Sequence, residues 1–160
     1  MFWYILVYTM AKMFIHKVTD AFEKAKIPYA IVGGYAVALH GAIRGTIDID
    51  FAIKWNLTNL KKVEEVLKAL GLISLIPVDA DQIYRFREEY INNRNMIAWN
   101  FYNPSNPAEQ VDIIISYDLK NSRTERIGNL SVLSKSDLIK MKKQSNRVQD
   151  KEDVKSLESL

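Results

Sequence analysis

Asp48 and Asp50 lie two residues apart in an alternating run, so a strand there carries both carboxylates on one side, roughly 7 Å apart along the backbone. The chain has no cysteine, and oxygen ligands without thiolates favour Mg²⁺ or Mn²⁺. Asp112 is the candidate third carboxylate. It stands between Val111 and Ile113, and an acid inside such an apolar run is costly to desolvate unless it is paired or bound to metal. Three converging carboxylates can hold two ions about 3.5–4 Å apart, the spacing that stabilises both the attacking and the leaving oxygen of a phosphoryl displacement. Gly33-Gly34 opens a helical pattern, where unobstructed backbone N–H groups and the positive end of the helix dipole suit a triphosphate. Thirteen residues separate this pair from Asp48-Ile49-Asp50, which couples phosphate binding to metal binding.

The flanking pattern supplies elements to hold these groups. Residues 11–26 repeat apolar side chains (Phe14, Ile15, Val18, Ala21, Phe22, Ala25) at helical spacing, and Pro28 helps stop the helix. A short buried strand over 29–32 runs into the glycines. A helix over 35–39 follows, with Gly41 suited to its C-terminal cap. The alternation over 46–54 predicts a strand with Ile47, Ile49 and Phe51 on one face and Asp48 and Asp50 on the other. Thr58 can cap a helix reaching Leu70, which Gly71 ends, and a further helix is expected over 79–95. Residues 96–102 and 110–116 read as an antiparallel hairpin with 103–107 as its loop, and 127–133 as a last strand. Ser134 or Ser136 caps a helix over 137–144, and Gln149 or Asp150 opens the final helix through Leu157, burying Val154 and Leu157.

At 160 residues, 48% hydrophobic and 26% charged, the chain has the composition of one globular domain, with residues 135–160 as its C-terminal helical part. The apolar run over 2–8 is too short to span a bilayer and lacks the flanks of a signal peptide. It suits an edge strand or a homodimer contact, or else residues 1–12 precede a natural start at Met10 or Met13. No membrane association is expected. The net charge of +3 does not indicate nucleic-acid binding, but the basic residues at 135, 140, 142, 143, 147 and 151 form a local patch suited to a polyanion or to a solvated helix face. Arg44 suits a phosphate contact, a salt bridge with Asp48 or a solvated turn. Thr46 suits the start of a strand, and His40 a capping or packing role.

Taken together, Gly33-Gly34-Tyr35-Ala36-Val37, Arg44-x-Thr46-x-Asp48-Ile49-Asp50-Phe51, Val111-Asp112-Ile113 and the tail Asp137-Leu138-Ile139-x-Met141-Lys142-x4-Arg147-x2-Asp150-x2-Asp153 resemble the nucleotidyltransferase superfamily, the DNA polymerase beta-like fold. More narrowly they resemble its AbiEii-type toxin-related members. The resemblance implies an α+β fold, a small mixed or antiparallel sheet flanked by helices, with C-terminal helices. It also implies transfer of a nucleoside monophosphate from an NTP such as ATP to a hydroxyl, with pyrophosphate leaving. Gly33 and Gly34 would cradle the triphosphate, Asp48 and Asp50 would hold two Mg²⁺ or Mn²⁺ ions, and Asp112 would bind one ion and act as base. Lys142 would reach the triphosphate, supported by Arg147 and Asp150. The implied setting is cytoplasmic, in toxin–antitoxin or phage defence, with a cognate antitoxin or toxin as partner and a tRNA end, a protein or a small molecule as acceptor. The alternative is a non-catalytic, antitoxin-like module that keeps the fold and binds NTP or a partner. Three clustered carboxylates repel one another without metal. A hundredfold excess of Mg²⁺ or Mn²⁺ over its Kd is therefore expected to raise the melting temperature by about 5 °C or more. The same titration of Asp48→Asn/Asp50→Asn should show no rise.

Overall fold

In the computed structural model, which describes residues 2–145 and 147–160, the long amphipathic pattern forms α1 (Phe2–Lys24). It is followed by β1 (Tyr29–Val32), α2 (Gly33–Leu39), β2 (Ile49–Ile53), α3 (Leu57–Ala69) and the short β3 (Ile73–Ser74). Next come α4 (Ala80–Arg85), α5 (Arg87–Arg94), β4 (Ala98–Asn103) and β5 (Asn106–Asp118). The chain ends with β6 (Thr124–Ile127), β7 (Leu130–Leu133), α6 (Lys135–Lys143) and α7 (Val148–Glu158). The strands make one mixed sheet in the order β3-β4-β5-β2-β1-β7-β6. β2 runs parallel to β5 and antiparallel to β1, and β1 runs parallel to β7. This is the expected mixed α+β architecture. Among the described residues no helix is long and apolar enough to cross a membrane.

The central strands are covered on both faces, so β1 is buried at all four positions. Phe22 of α1 meets Tyr29 and Phe51 edge-on, at ring-centroid distances of 5.8 and 5.0 Å. The pleat then turns Asp50, Phe51's neighbour, to the opposite face, away from α1. The aromatic cluster thus fixes which side of the sheet carries the chemistry.

Several elements depart from the sequence reading. Residues 2–8 continue α1 rather than forming an edge strand, because no glycine or proline interrupts the chain before Met13 and the helix propagates through them. β2 begins at Ile49, not at residue 46, since cross-strand pairing starts at Ile49 with Val111; Ile47, without a paired neighbour, is 66% exposed. Asn56 caps α3 in place of Thr58, its side chain accepting from the Asn59 N–H at 2.7 Å. The helix expected over 79–95 is two, broken at Phe86. The break aims Arg87 inward, where its Nε donates to the Ile115 carbonyl at 2.6 Å and its guanidinium lies over Trp55. The last strand is a hairpin of β6 and β7, and the β4–β5 hairpin turns tightly at 104–105. Ser134 is the cap of α6, accepting from the Asp137 N–H at 3.1 Å; in α7 Leu157 is buried and Val154 half-buried.

Phe22→Ala removes a fully buried ring from this junction and is expected to cost about 3–5 kcal/mol in chemical unfolding, with the change in denaturation midpoint as the readout.

Candidate active site

At the end of β1 the chain turns into α2 through Gly33, whose φ of +68° lies in the left-handed region. A side chain is excluded there for a second reason: a Cβ would collide with the Asp50 carboxylate. A Cβ on Gly34 would meet the Thr46 Cβ at 2.9 Å. The glycine pair therefore lets the start of α2 lie against Asp50 and Thr46. Thr46 in turn donates from its hydroxyl to the Asp48 carbonyl at 3.3 Å.

Asp50 and Asp112 are register partners on the adjacent parallel strands β2 and β5. Asn100 on β4 is the next residue in that row, and its amide donates to Asp112 Oδ1 at 2.7 Å. Burial pushes Asp50 up to about 8, helped by the neighbouring Asp112 and Asp48 and opposed by Lys142. Burial raises Asp112 as well, against the Asn100 hydrogen bond, which favours its charged form. The contact between the two carboxyls favours a proton on Asp50 and a charge on Asp112. Asp48 lies in the bend just before β2, half-buried, and adds its field to both. Among the described residues no three His, Asp or Glu side chains stand close enough together to hold a metal ion as they are now arranged. The donor set nonetheless suits a hard divalent cation: it is all oxygen, and two half-buried, adjacent carboxylates lack the positive charge that would let both ionise.

Lys142 of α6, only 7% exposed, stands near enough to Asp50 to influence it, but its Nζ donates to Asp150 Oδ1 at 3.1 Å and Asp153 Oδ2 at 2.8 Å on α7. Arg147 Nε bonds Asp150 Oδ2 at 2.8 Å. Burial raises Asp150, but hydrogen bonds from Arg147, Ser145 and Lys142 outweigh it and hold the carboxyl down to about 2. The salt bridge considered between Arg44 and Asp48 does not form. Arg44 Nε instead donates to Asp153 Oδ1 at 3.0 Å, tying the loop ahead of β2 to α7. Of the basic patch, Lys140, Lys142, Lys143 and Arg147 are each paired with a carboxylate, while Lys135 donates to the Leu160 carbonyl. His40 has the packing role expected, its Nε2 2.8 Å from the Leu133 carbonyl.

Two cavities flank the Asp50–Asp112 pair. One, of about 330 Å³, is lined by Gly33, Asp50, Lys142 and Arg147 and continues along β5 past Ile114. The other, of about 260 Å³, is lined by Asp48, Asp112, Asn100, Gln110 and Tyr102. Alternate residues of β5 divide between them, Gln110 and Asp112 on one side and Ile114 and Ser116 on the other. Asn100 was invisible in the sequence. Between Tyr102 and Asn103 the hairpin shifts register, absorbing extra residues on the β5 side, and only that shift sets Asn100 opposite Asp112.

This arrangement of glycine turn, paired strand carboxylates and sheet is the nucleotidyltransferase fold, and the solved structures that superpose on the chain have it. The antibiotic-resistance factor ANT(2'')-Ia in solution superposes with a TM-score of 0.59 at 14% identity, covering 93% of this chain and 82% of that one. A crystal structure of ANT(2'')-Ia with adenylyl-2''-tobramycin gives 0.58 at 14%, covering 93% and 87%. The lincosamide antibiotic adenylyltransferase LnuA, lincomycin-bound, gives 0.60 at 17%, covering 92% and 96%. The family model for aminoglycoside-2''-adenylyltransferase matches residues 14–92, a span that holds Gly33, Gly34, Asp48 and Asp50 but not Asp112 or Lys142. The family model and these neighbours are those of nucleotidyltransferase enzymes. No curated protein sequence matches.

Because the folded pKa of Asp50 exceeds its unfolded value, metal-free protein holds the protonated form's stability at low pH and loses it as pH rises through about 8. Asp50→Asn is expected to flatten this decline and to melt higher than the wild type at pH 8 in EDTA, by roughly 2–4 °C for each kcal/mol of repulsion relieved.

Proposed function

We infer that the chain transfers a nucleoside monophosphate from an NTP to a hydroxyl of a small acceptor. The observation that carries this reading is the Asp50–Asp112–Asn100 row with a cavity on either side, one lined by Lys142 and Arg147 together with two acids and the other by two acids and no cation. The cavity with Gly33, Lys142 and Arg147 suits the donor. Backbone there can approach phosphate oxygens, and the cavity holds the site's two cations, although both Lys142 and Arg147 also bond Asp150, which lines it too. The cavity with Asp48 and Asp112 suits the acceptor. Asp112, oriented by Asn100, accepts the proton of the acceptor hydroxyl as its oxygen bonds to the α-phosphorus. The bond from that phosphorus to the bridging oxygen breaks, and pyrophosphate leaves. Mg²⁺ or Mn²⁺, one ion or two, held by Asp50 and Asp112 with Asp48, would neutralise the phosphate charge and polarise the reacting oxygens. The remaining catalysis is positioning: the Lys142–Asp150–Asp153–Arg44 ties keep α6 and the loop carrying Asp48 on the same side of the sheet.

The acceptor cavity is lined by two acids and no cation, so it disfavours a polyanion such as a tRNA end and suits a neutral or cationic polyhydroxyl compound. ANT(2'')-Ia and LnuA, whose structures hold an adenylylated tobramycin and lincomycin, point to the same kind of acceptor. The tail from Asp137 to Asp153 supports the second reading, an AbiEii-type enzyme acting on RNA or protein beside a cognate partner. A cytoplasmic location, where NTP is present, goes with either.

The test offers labelled ATP, CTP, GTP and UTP with Mg²⁺ to the protein alone, to total RNA and to a panel of aminoglycosides and lincosamides. Label is expected on a small acceptor, reduced about 10²–10⁴-fold in Asp112→Asn. Transfer to RNA or to the protein itself would replace the small-acceptor reading by the second. Tight NTP binding without transfer to anything would make the chain a binding module.

A further inference from the structure

α1 has two apolar faces. Phe14, Ile15, Val18 and Phe22 form one, and all four are buried in the core. Phe2, Leu6 and Met13 form the other, which at 3.6 residues per turn lies about 150° around the helix from the first, out of reach of the domain's own core. All three are exposed, Phe2 by 86%, and the exposed Trp3 and Ile5 flank them. This second face has a definite end. Beyond Met13 the same side of the helix carries Lys17, Asp20 and Lys24, all exposed, so charged groups meet water along the second half of α1 and apolar groups along the first.

Leu6 and Met13 follow Phe2 by four and eleven residues, positions that fall on one seam of a 3.5-residue repeat, the spacing with which two helices pack along each other. We propose that this seam is the contact surface for a second copy of the chain, α1 lying along α1. Two identical copies meet about a two-fold axis, so the surface must suit itself. This one does, because residues 2–11 include no charged side chain that would repel its counterpart. Covering the five apolar side chains removes roughly 500 Å² of surface from each copy, about 1,000 Å² for the pair, the lower bound for a specific interface. A lipid surface fits less well. A helix lying in a bilayer interface sets Lys and Arg along its polar face, whereas the first cation here is Lys12. The pairing leaves the carboxylate cleft open, since Phe22 of α1 packs on Phe51 and Asp50 points to the other side of the sheet. It stands independently of what the cleft does.

The test is the mass of the full chain in solution, by light scattering and sedimentation velocity, over a range from about 1 to 200 µM. The expected result is a rise from 18.5 kDa to twice that mass, half complete at concentrations on the order of 10 µM, as suits a contact this small. Leu6→Glu and Met13→Glu should each weaken the pairing about tenfold or more, by placing a charge in the seam. Both side chains are already in water in the single chain, so the circular dichroism and melting temperature of dilute protein should stay as in the wild type. A single-chain mass at every concentration overturns the proposal, and so does pairing that survives both substitutions. Co-sedimentation of a monomeric wild type with phosphatidylcholine or phosphatidylserine vesicles overturns it in favour of a lipid surface.

Discussion

Two aspartates face each other across neighbouring parallel strands, in a half-dry cleft where both cannot carry full charge at neutral pH. Much of the surrounding structure answers to that pair. Gly33 has no side chain because Asp50 occupies the space a Cβ would take. Asn100 holds one carboxylate by a hydrogen bond, and Lys142 contributes positive potential to the other without touching it. The aromatic contacts of Phe51 with Phe22 and Tyr29 decide the face on which Asp50 emerges. Electrostatic tension at the site is thus held in place by apolar packing behind it.

A second set of buried charges links the C-terminal helices to that site. Asp150 and Asp153 are nearly inaccessible, and each accepts from Lys142; Arg147 and Arg44 complete the set from opposite sides. Desolvating so many charges cancels much of their mutual attraction, so the network adds little net stability, whereas loss of one member strands the others in a dry setting. Its structural consequence is registry. It fixes α7 against α6, and through Arg44 it fixes both against the loop that carries Thr46 and Asp48.

The pleat of β5 separates two environments. From Gln110 to Ser116 every second side chain faces the same way, yet the first of these borders a space with two acids and no cation and the last a space beside α6 that holds Lys142 and Arg147. Asp112 lines the first of these, and its register partner Asp50 lines the second. A single strand can border both spaces because its length spans them, with Gln110, Asp112, Ile114 and Ser116 on one face. α6 makes the difference between the two ends, since its Leu138, Met141 and Lys142 line one space and not the other.

Much of this was legible in the residues alone. The strand of β1 with its glycine exit, the acid at 112 amid Val and Ile, and the helical stripes of α1 and α3 follow from local chemistry: apolar periodicity, the tolerance of glycine for φ > 0, and the cost of burying a carboxylate. What local chemistry could not determine was pairing at a distance. Asn100 meets Asp112 only through a register shift in the hairpin, and Arg44 prefers Asp153 to the nearer Asp48 only because α7 folds back over the loop. The basic tail read equally as a patch for a polyanion or as a solvated helix face, and only the folded helices show that four of its six cations pair with carboxylates. Residue types and short spacings determine which groups exist and how each segment folds. Which groups meet depends on strand register and helix packing, set by the sum of contacts across the whole sheet.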